Sequence, residues 1–466
     1  MPQSPTVALP KSWPLVTPPE NRSDSTSKDA RLVNCFGEKQ KDGSYQIYGR
    51  AGLAESSRPP AGNATARGMY NWLGDSYAIF GATLYKNGVA VAGTLDTTNG
   101  SYKFSSCLGA TPKLQLGNGV KAYNYDAAGG LVLISDAQFP AAFVKGWAYL
   151  DGTTYVATAT AHVLGSDIND PVNWDVLNDI LAQIEPDAGV ALAKQLVYVV
   201  LFKQWTTEVF YDAGNATGSP LGTVQGAKVA YGCITADGVA GMDDVLFWPS
   251  TNRGVMPQVV KLEGLKAEVI STDPIERLLD GADFTTTYAF TVKKHGHRFY
   301  VLTIVAANLT LVYDMDERLW HQWTDTSGNY FPFVSSSFSG LTTYLQHATN
   351  GRIYTFDESY YTDAGDVIVK DIYTPNFDAD TRRGKYLAMM LFDADQTEGS
   401  VLEVRCNDKD YSPTAWTNFR SVDLSRQRPS LADCGTFTRR AYHFRQKKQT
   451  AFRIRAVELQ LDLCAL

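Results

Sequence analysis

At 466 residues the chain is too long for one ordinary domain, although a closed propeller can run past about 300 residues as a single unit. Aromatic residues make up 12%, with 38 Gly and 20 Pro, which favours strands and tight turns over long helices. The formal net charge of −7 is uneven: residues 401–466 hold 12 Lys+Arg against 7 Asp+Glu (12 − 7 = +5), and the rest hold 30 against 42 (−12), so the two ends are expected to face different partners.

Residues 1–30 are rich in Pro, Ser and Thr, lack the apolar core of a signal peptide, and are expected to form a flexible arm. Arg31–Phe36 opens the first strand, and Lys41-Asp-Gly-Ser44 is a hairpin turn into Tyr45–Tyr48. From about Met69 one unit recurs: an aromatic or β-branched strand, a short turn, a second strand, then Gly or Asn-Gly. Ser76–Phe80 with Thr83–Tyr85, Leu196–Phe202 with Thr207–Tyr211, and Arg298–Ile304 with Thr310–Tyr313 are examples. A spacing of roughly 40 to 55 residues suits four-stranded propeller blades and fits six of them. Asp170-Pro171 could cap a helix carrying Trp174, Leu177, Leu181 and Ile184 on one face. Thr272–Leu279 is a better short helix, with Pro274 early. After about Asp371 the strands lengthen and alternate, as in Ala451–Leu459. The expectation is an all-β chain: an arm with the first strands over 1–60, a six-bladed β-propeller over 61–372, and an antiparallel β-sandwich-like domain over 373–466.

Chemistry-bearing patterns are sparse. The six cysteines are scattered without a CxxC pair, so a disulfide framework or zinc site is not expected. Three Asn-x-Thr triplets, at Asn63, Asn215 and Asn308, read as chance matches in a chain without a secretory signal. No apolar run reaches the ~18 residues of a membrane span. His295 and His297 could share one strand face. They have no third ligand in sequence, and Lys293, Lys294 and Arg298 would repel a cation, so they read as a solvated hairpin. Asp243, Asp244, Asp314, Asp316 and Glu317 read as turn residues, and Asn407–Trp416, which loosely resembles the aspartate box of sialidase propellers, as a structural turn. Phosphate loops, dinucleotide fingerprints and nucleophile elbows do not occur, so no catalytic residue, metal ligand or cofactor is expected.

The strongest charge feature is Thr438–Arg455, which holds Arg439, Arg440, Arg445, Lys447, Lys448, Arg453 and Arg455 and no acid. It reads as a hairpin whose outward cations dock an acidic protein partner. The weaker readings are a DNA contact, disfavoured because the whole chain is acidic, and a hairpin that is merely solvated.

An ordered set of segments resembles a known family. These are Arg31–Phe36, Tyr48-Gly-Arg-Ala-Gly-Leu53, Leu84–Gly88, Asp167–Trp174 with Glu185-Pro-Asp187, Thr207–Tyr211, Val269–Glu276, and Leu311–Met315 followed by Trp320-His-Gln-Trp323. Together they resemble the tail-hub or nozzle proteins of short-tailed bacteriophages, the packaged-DNA stabilisation proteins. One departure is Ala51, where Pro is more typical. The resemblance implies a propeller, a β-rich platform and a homohexameric ring below the head-to-tail adaptor. Tailspike, fibre or needle proteins would be neighbours, and genomic DNA would pass the lumen without sequence-specific binding. It places the protein in the virion tail after assembly in the host cytoplasm, with no enzyme activity. It also implies that Trp174–Ile184 is extended rather than helical. The reading from a different class is a carbohydrate-active or glycan-binding, sialidase-like propeller.

Overall fold

The computed structural model describes residues 30–464 apart from 59–61, 98–99, 216, 225 and 227–228. The arm expected over residues 1–30 lies outside the described residues, save Ala30. The regular structure of the described chain is almost all strand, with one α-helix at Asp273–Leu279, where the sequence reading put it. Pro274 stands in its first turn, where a missing N–H costs nothing.

Seven antiparallel four-stranded units follow one another in the described chain. The first six are continuous, over residues 66–90, 103–133, 148–181, 189–223, 240–269 and 287–322. The seventh takes three strands from Phe333–Ser339, Thr342–His347 and Ile353–Asp357, and its fourth from Gly52–Glu55 near the start of the chain. The count is therefore seven, not the six that the spacing suggested. The sequence rhythm cannot show a blade shared between two ends of the chain. Seven apolar cores, one between each pair of neighbouring blades, close the ring. Leu201 and Phe210 pack on blade three from blade four, and Ala66 and Phe80 meet Ile353 where the last blade meets the first. Central strands are buried on both faces, which is why the strand Tyr198–Lys203 reads as an unbroken apolar run through Phe202 rather than an alternation. Gly52 is required at the closing strand, since a Cβ there would lie 2.5 Å from Thr362 O and 2.6 Å from Tyr360 O.

Asp170–Leu181 is a strand, the outer edge of blade three, so the helical reading of this segment fails and the extended one holds. The apolar spacing misled because a register shift loops out residues opposite Gly165, leaving Val176 and Leu177 exposed while Trp174 is buried.

A β-sandwich packs beside the ring. One sheet orders the strands Arg31–Val33, Lys370–Tyr373, Ala441–Gln446, Val401–Asn407 and Arg420–Asp423. The other holds Cys35–Lys39, Tyr45–Gly49, Arg453–Leu463, Lys385–Ala394 and Ser430–Ala432. Leu32, Ile47, Ile372, Met390, Phe444 and Ile454 lie in the core between them. Strands before residue 50 thus pair with strands after residue 369. The first sheet also runs into blade six, where Val33 pairs in parallel with Gln322.

Candidate docking surface

The basic segment is not a hairpin. Ala441–Gln446 and Arg453–Leu463 lie in different sheets, so the chain between them crosses the sandwich. Phe452 and Ile454 point inward, as their alternation with Arg453 and Arg455 suggested. The five arginines are not outward-facing bare charges. Arg440 is buried, grips both oxygens of Asp408 at 2.6 and 2.9 Å, donates to Cys434 O and Thr436 O, and stacks over Phe437. Arg439 pairs with Asp410, and Arg445 reaches Asp371 at 2.7 Å. Arg453 is bidentate on Asp395, and Arg455 spans Asp393 and Asp395. Every partner carboxylate lies outside residues 438–455, which is why the segment reads as unbalanced. Lys447 and Lys448 are exposed and make no ion pair with a described residue.

Behind this surface a polar network is locked. Arg405 Nε donates to His443 Nδ1 at 2.8 Å, so the imidazole proton sits on Nε2 and is donated to Asp371 at 2.7 Å. Burial drives the His443 pKa down to about 4, against the opposing pull of Asp371. Burial also opposes the charge on Asp371, but the hydrogen bond from His443 and the hydrogen bond and charge of Arg445 outweigh it and hold that carboxyl below its ordinary range.

His295 and His297 differ from the solvated hairpin expected of them. His295-Gly296 is a tight turn with both φ angles positive, at 55° and 78°, but His297 is buried and its Nδ1 lies 2.6 Å from Asp314 Oδ2. The ligand atoms of His297, Asp314 and Asp316 come within 4.8 Å of one another, which their sequence separation concealed. The Arg298 guanidinium occupies Asp316, at 2.6 Å from Oδ1, and Asp314 Oδ1 accepts the N–H groups of Asp316 and Glu317. A cation here would displace an arginine already in place. Burial lowers the His297 pKa, but the hydrogen bond and charge of Asp314 outweigh it, so the net shift is upward.

Other marked segments are structural. Asp314 ends a strand and its carboxylate holds the turn over residues 315–318, and Asn407 closes its hairpin by accepting from Lys409 N at 2.8 Å, with Trp416 packed on Tyr411 and His443. Glu185-Pro-Asp187 and Thr207–Tyr211 surround the fully buried Lys203. Its ammonium lies 2.8 Å from Asp187 Oδ1, donates to Glu185 O and pairs with Glu208. Arg50 of Tyr48-Gly-Arg-Ala-Gly is equally buried and joins three elements. It donates to Asn34 Oδ1, Ala51 O, Thr324 O and both oxygens of Asp363. Among the described residues no helix is long and apolar enough to cross a membrane.

Comparison with curated protein sequences finds no match. Among solved structures, the chain is similar to a catalytically inactive virginiamycin B lyase from Staphylococcus aureus with quinupristin, at TM-score 0.42 and 8% identity, over 65% of this chain and 97% of that one. It is also similar to BBS1N in complex with ARL6DN, at TM-score 0.42 and 11% identity, over 66% and 98% of the two chains. The N-terminal domain of Nup159 matches at TM-score 0.38 and 8% identity, over 70% and 98%. A family model described as "Bacteriophage P22 Gp10, beta-propeller" matches residues 28–360, from the first sandwich strand through the seventh blade. The chain therefore belongs to this phage stabilisation family, the tail-hub β-propeller proteins, and has a structural role in the phage tail.

Proposed function

We propose that the protein is the ring subunit of a short phage tail. Six copies close around an axial lumen below the head-to-tail adaptor. They help retain packaged DNA and conduct it during ejection, with no catalysis and no sequence-specific DNA contact. The family match over residues 28–360 carries this reading. Two features support it. The propeller ring is closed by a strand from the opposite end of the chain. The first strands are paired into the C-terminal sandwich, so propeller and platform are joined rather than tethered. We place the functional division between the ring, residues 52–357, and a platform made of residues 31–49 with 370–463. The acidic balance of the chain outside residues 401–466 suits a lumen that repels phosphate.

Within the basic segment, Lys447 and Lys448 are the docking residues for the adaptor, because the arginines around them already hold aspartates. Complementary charge of this kind sets association rate and partner choice more than affinity. The remaining contacts, to tailspike, fibre or needle proteins, form on the virion after assembly in the host cytoplasm. Electron microscopy of the purified protein, alone and mixed with adaptor, tests the proposal. Closed six-fold rings that stack on the adaptor are expected. A protein that stays monomeric and never engages adaptor overturns it.

A further inference from the structure

The axis of the propeller is neither empty nor uniformly acidic. A cavity of about 880 Å³ sits among the inner strands of blades one, two, five, six and seven. A second, of about 440 Å³, continues it toward blades three and four. The two share Tyr70, Lys103, Phe104, Lys145, Val239 and Ala240. At this junction Lys145 Nζ lies 2.6 Å from Asp237 Oδ2 and 3.3 Å from Ser101 Oγ, so its charge is answered. Lys103 is different. Its ammonium finds one acceptor among the described residues, Val239 O at 3.3 Å, and two of its three donors point to no protein acceptor. Burial holds its pKa below the ordinary lysine value, with Asp237 opposing and Lys145 adding to the shift. Asp237 is the only carboxylate among the described lining residues of either cavity, against Arg67, Lys103, Lys145 and Lys194. Arg67 is answered by Asp96 and Lys145 by Asp237, so Lys103 and Lys194 are the lining cations with no ion pair to a described residue, in a chain whose formal charge is −7.

The walls are equally specific. Tyr70 and Phe104, which line both cavities, stack with centroids 5.5 Å apart and planes 6° apart. Across the cavity, Thr291 Oγ1 donates to Gly241 O and Ser336 Oγ donates to Thr291 O. Both hydroxyls spend their protons inward and keep lone pairs to accept from a ligand. Gly100, beside Lys145, takes φ +121°, a backbone conformation that a residue with a Cβ rarely adopts. An aromatic face, hydroxyl acceptors and an under-used ammonium in one concave site suit a ligand with an apolar ring face, hydroxyl donors and an anionic group. A bare oxyanion would fill little of this volume.

We propose that the axial cavity binds a small phosphorylated saccharide, its phosphate on Lys103 beside Lys145 and its sugar ring against Tyr70 and Phe104. This is independent of the ring assembly. The saccharide can come from free sugar phosphates or from a phosphorylated envelope glycan.

Isothermal titration of the full chain tests it, using glucose 6-phosphate, glucose, inorganic phosphate, a phosphorylated core oligosaccharide and a short single-stranded oligonucleotide. Glucose 6-phosphate should bind with a Kd of about 1 mM or tighter, and glucose at least about tenfold more weakly. Lys103→Met should weaken glucose 6-phosphate binding by at least about tenfold, the range for a lost hydrogen bond to a charged group. Its melting temperature should not fall, because it removes a poorly compensated buried charge. Lys145→Met, read in parallel, should weaken binding less, since Lys145 already serves Asp237. Tighter binding of the core oligosaccharide than of glucose 6-phosphate identifies the envelope as the source, and equal binding identifies the free metabolite. The proposal is overturned if the parent binds neither phosphorylated sugar at about 10 mM, if both Met variants bind as the parent does, or if the oligonucleotide outcompetes the sugars.

Discussion

Replacing Arg50 by Ala tests how the closing strand, blade six and the first sandwich strand are held together. The Arg50 side chain is 1% exposed and its partner Asp363 12% exposed. Removing the guanidinium strips donors from Asn34 Oδ1 at 2.9 Å, Ala51 O at 2.9 Å, Thr324 O at 3.2 Å and both Asp363 oxygens, and it removes a cation from the Phe331 face at 5.0 Å. Breaking a buried pair from one side costs about 3–5 kcal/mol, because the remaining charge stays desolvated. Asn34 keeps part of its network, since its Oδ1 also accepts from Thr324 N and its Nδ2 donates to Val369 O. Partial exposure of Asp363 lets water answer some of its charge, so the lower half of that range is expected. The assay is urea unfolding followed by tryptophan fluorescence, which reports blade six through Trp320 and Trp323. Arg50→Ala should move the first transition to lower urea, and Arg50→Met with Asp363→Leu should recover most of the loss, since the stranded carboxylate is then gone. An Arg50→Ala midpoint equal to the parent's, or a double variant no better than the single, would refute the reasoning.

Trp323→Ala should cost about 3–5 kcal/mol, because the ring is buried among Phe299, Phe331 and Phe356; a melting curve matching the parent's would contradict its burial. Arg440→Glu should destabilise the sandwich in the same urea assay, by placing a carboxylate against Asp408. Lys447→Glu with Lys448→Glu should leave the midpoint within about 0.5 kcal/mol of the parent and slow adaptor binding, most at low salt. Burial lowers His321, His347 and His443 from 6.5 to about 4, so between those values the unfolded chain binds protons that the folded chain does not, and stability should fall as pH drops through that window. His297 shifts upward, so its contribution is complete below pH 6.5 and is lost as pH rises through its folded value. His297→Asn should therefore flatten the alkaline limb of a stability–pH profile and leave the acid limb in place. Elemental analysis should find no stoichiometric zinc, because Arg298 holds Asp316 and the His297–Asp314 pair is closed on itself.

Much of this molecule is legible from neighbours in sequence. The strand–turn rhythm, the Asp42-Gly43 hairpin with Ser44 N on Asp42 Oδ1, the short helix begun by Pro274, and the inward alternation of Phe452 and Ile454 all depend on residues a few positions apart. Local propensity and period are sufficient to state them. Tertiary structure decided what depends on residues far apart. Gly52–Glu55 completes the seventh blade some 300 residues later, with Asp357 opposite Gly52, and no local signal distinguishes that strand from any other. Arg440 meets Asp408, Arg445 meets Asp371, and Arg453 meets Asp395, so a segment that is purely cationic in sequence is largely neutralised in space. The Asp170–Leu181 strand carries helical spacing, yet a register shift against Gly165 sets which of its side chains are buried. His297 reads as exposed until Asp314, seventeen residues on, returns beneath it. Composition counts charges without pairing them. Pairing, closure and the axial cavity follow from which strands become neighbours when the ring shuts, and that is settled by burial of seven interblade cores together rather than by any one segment.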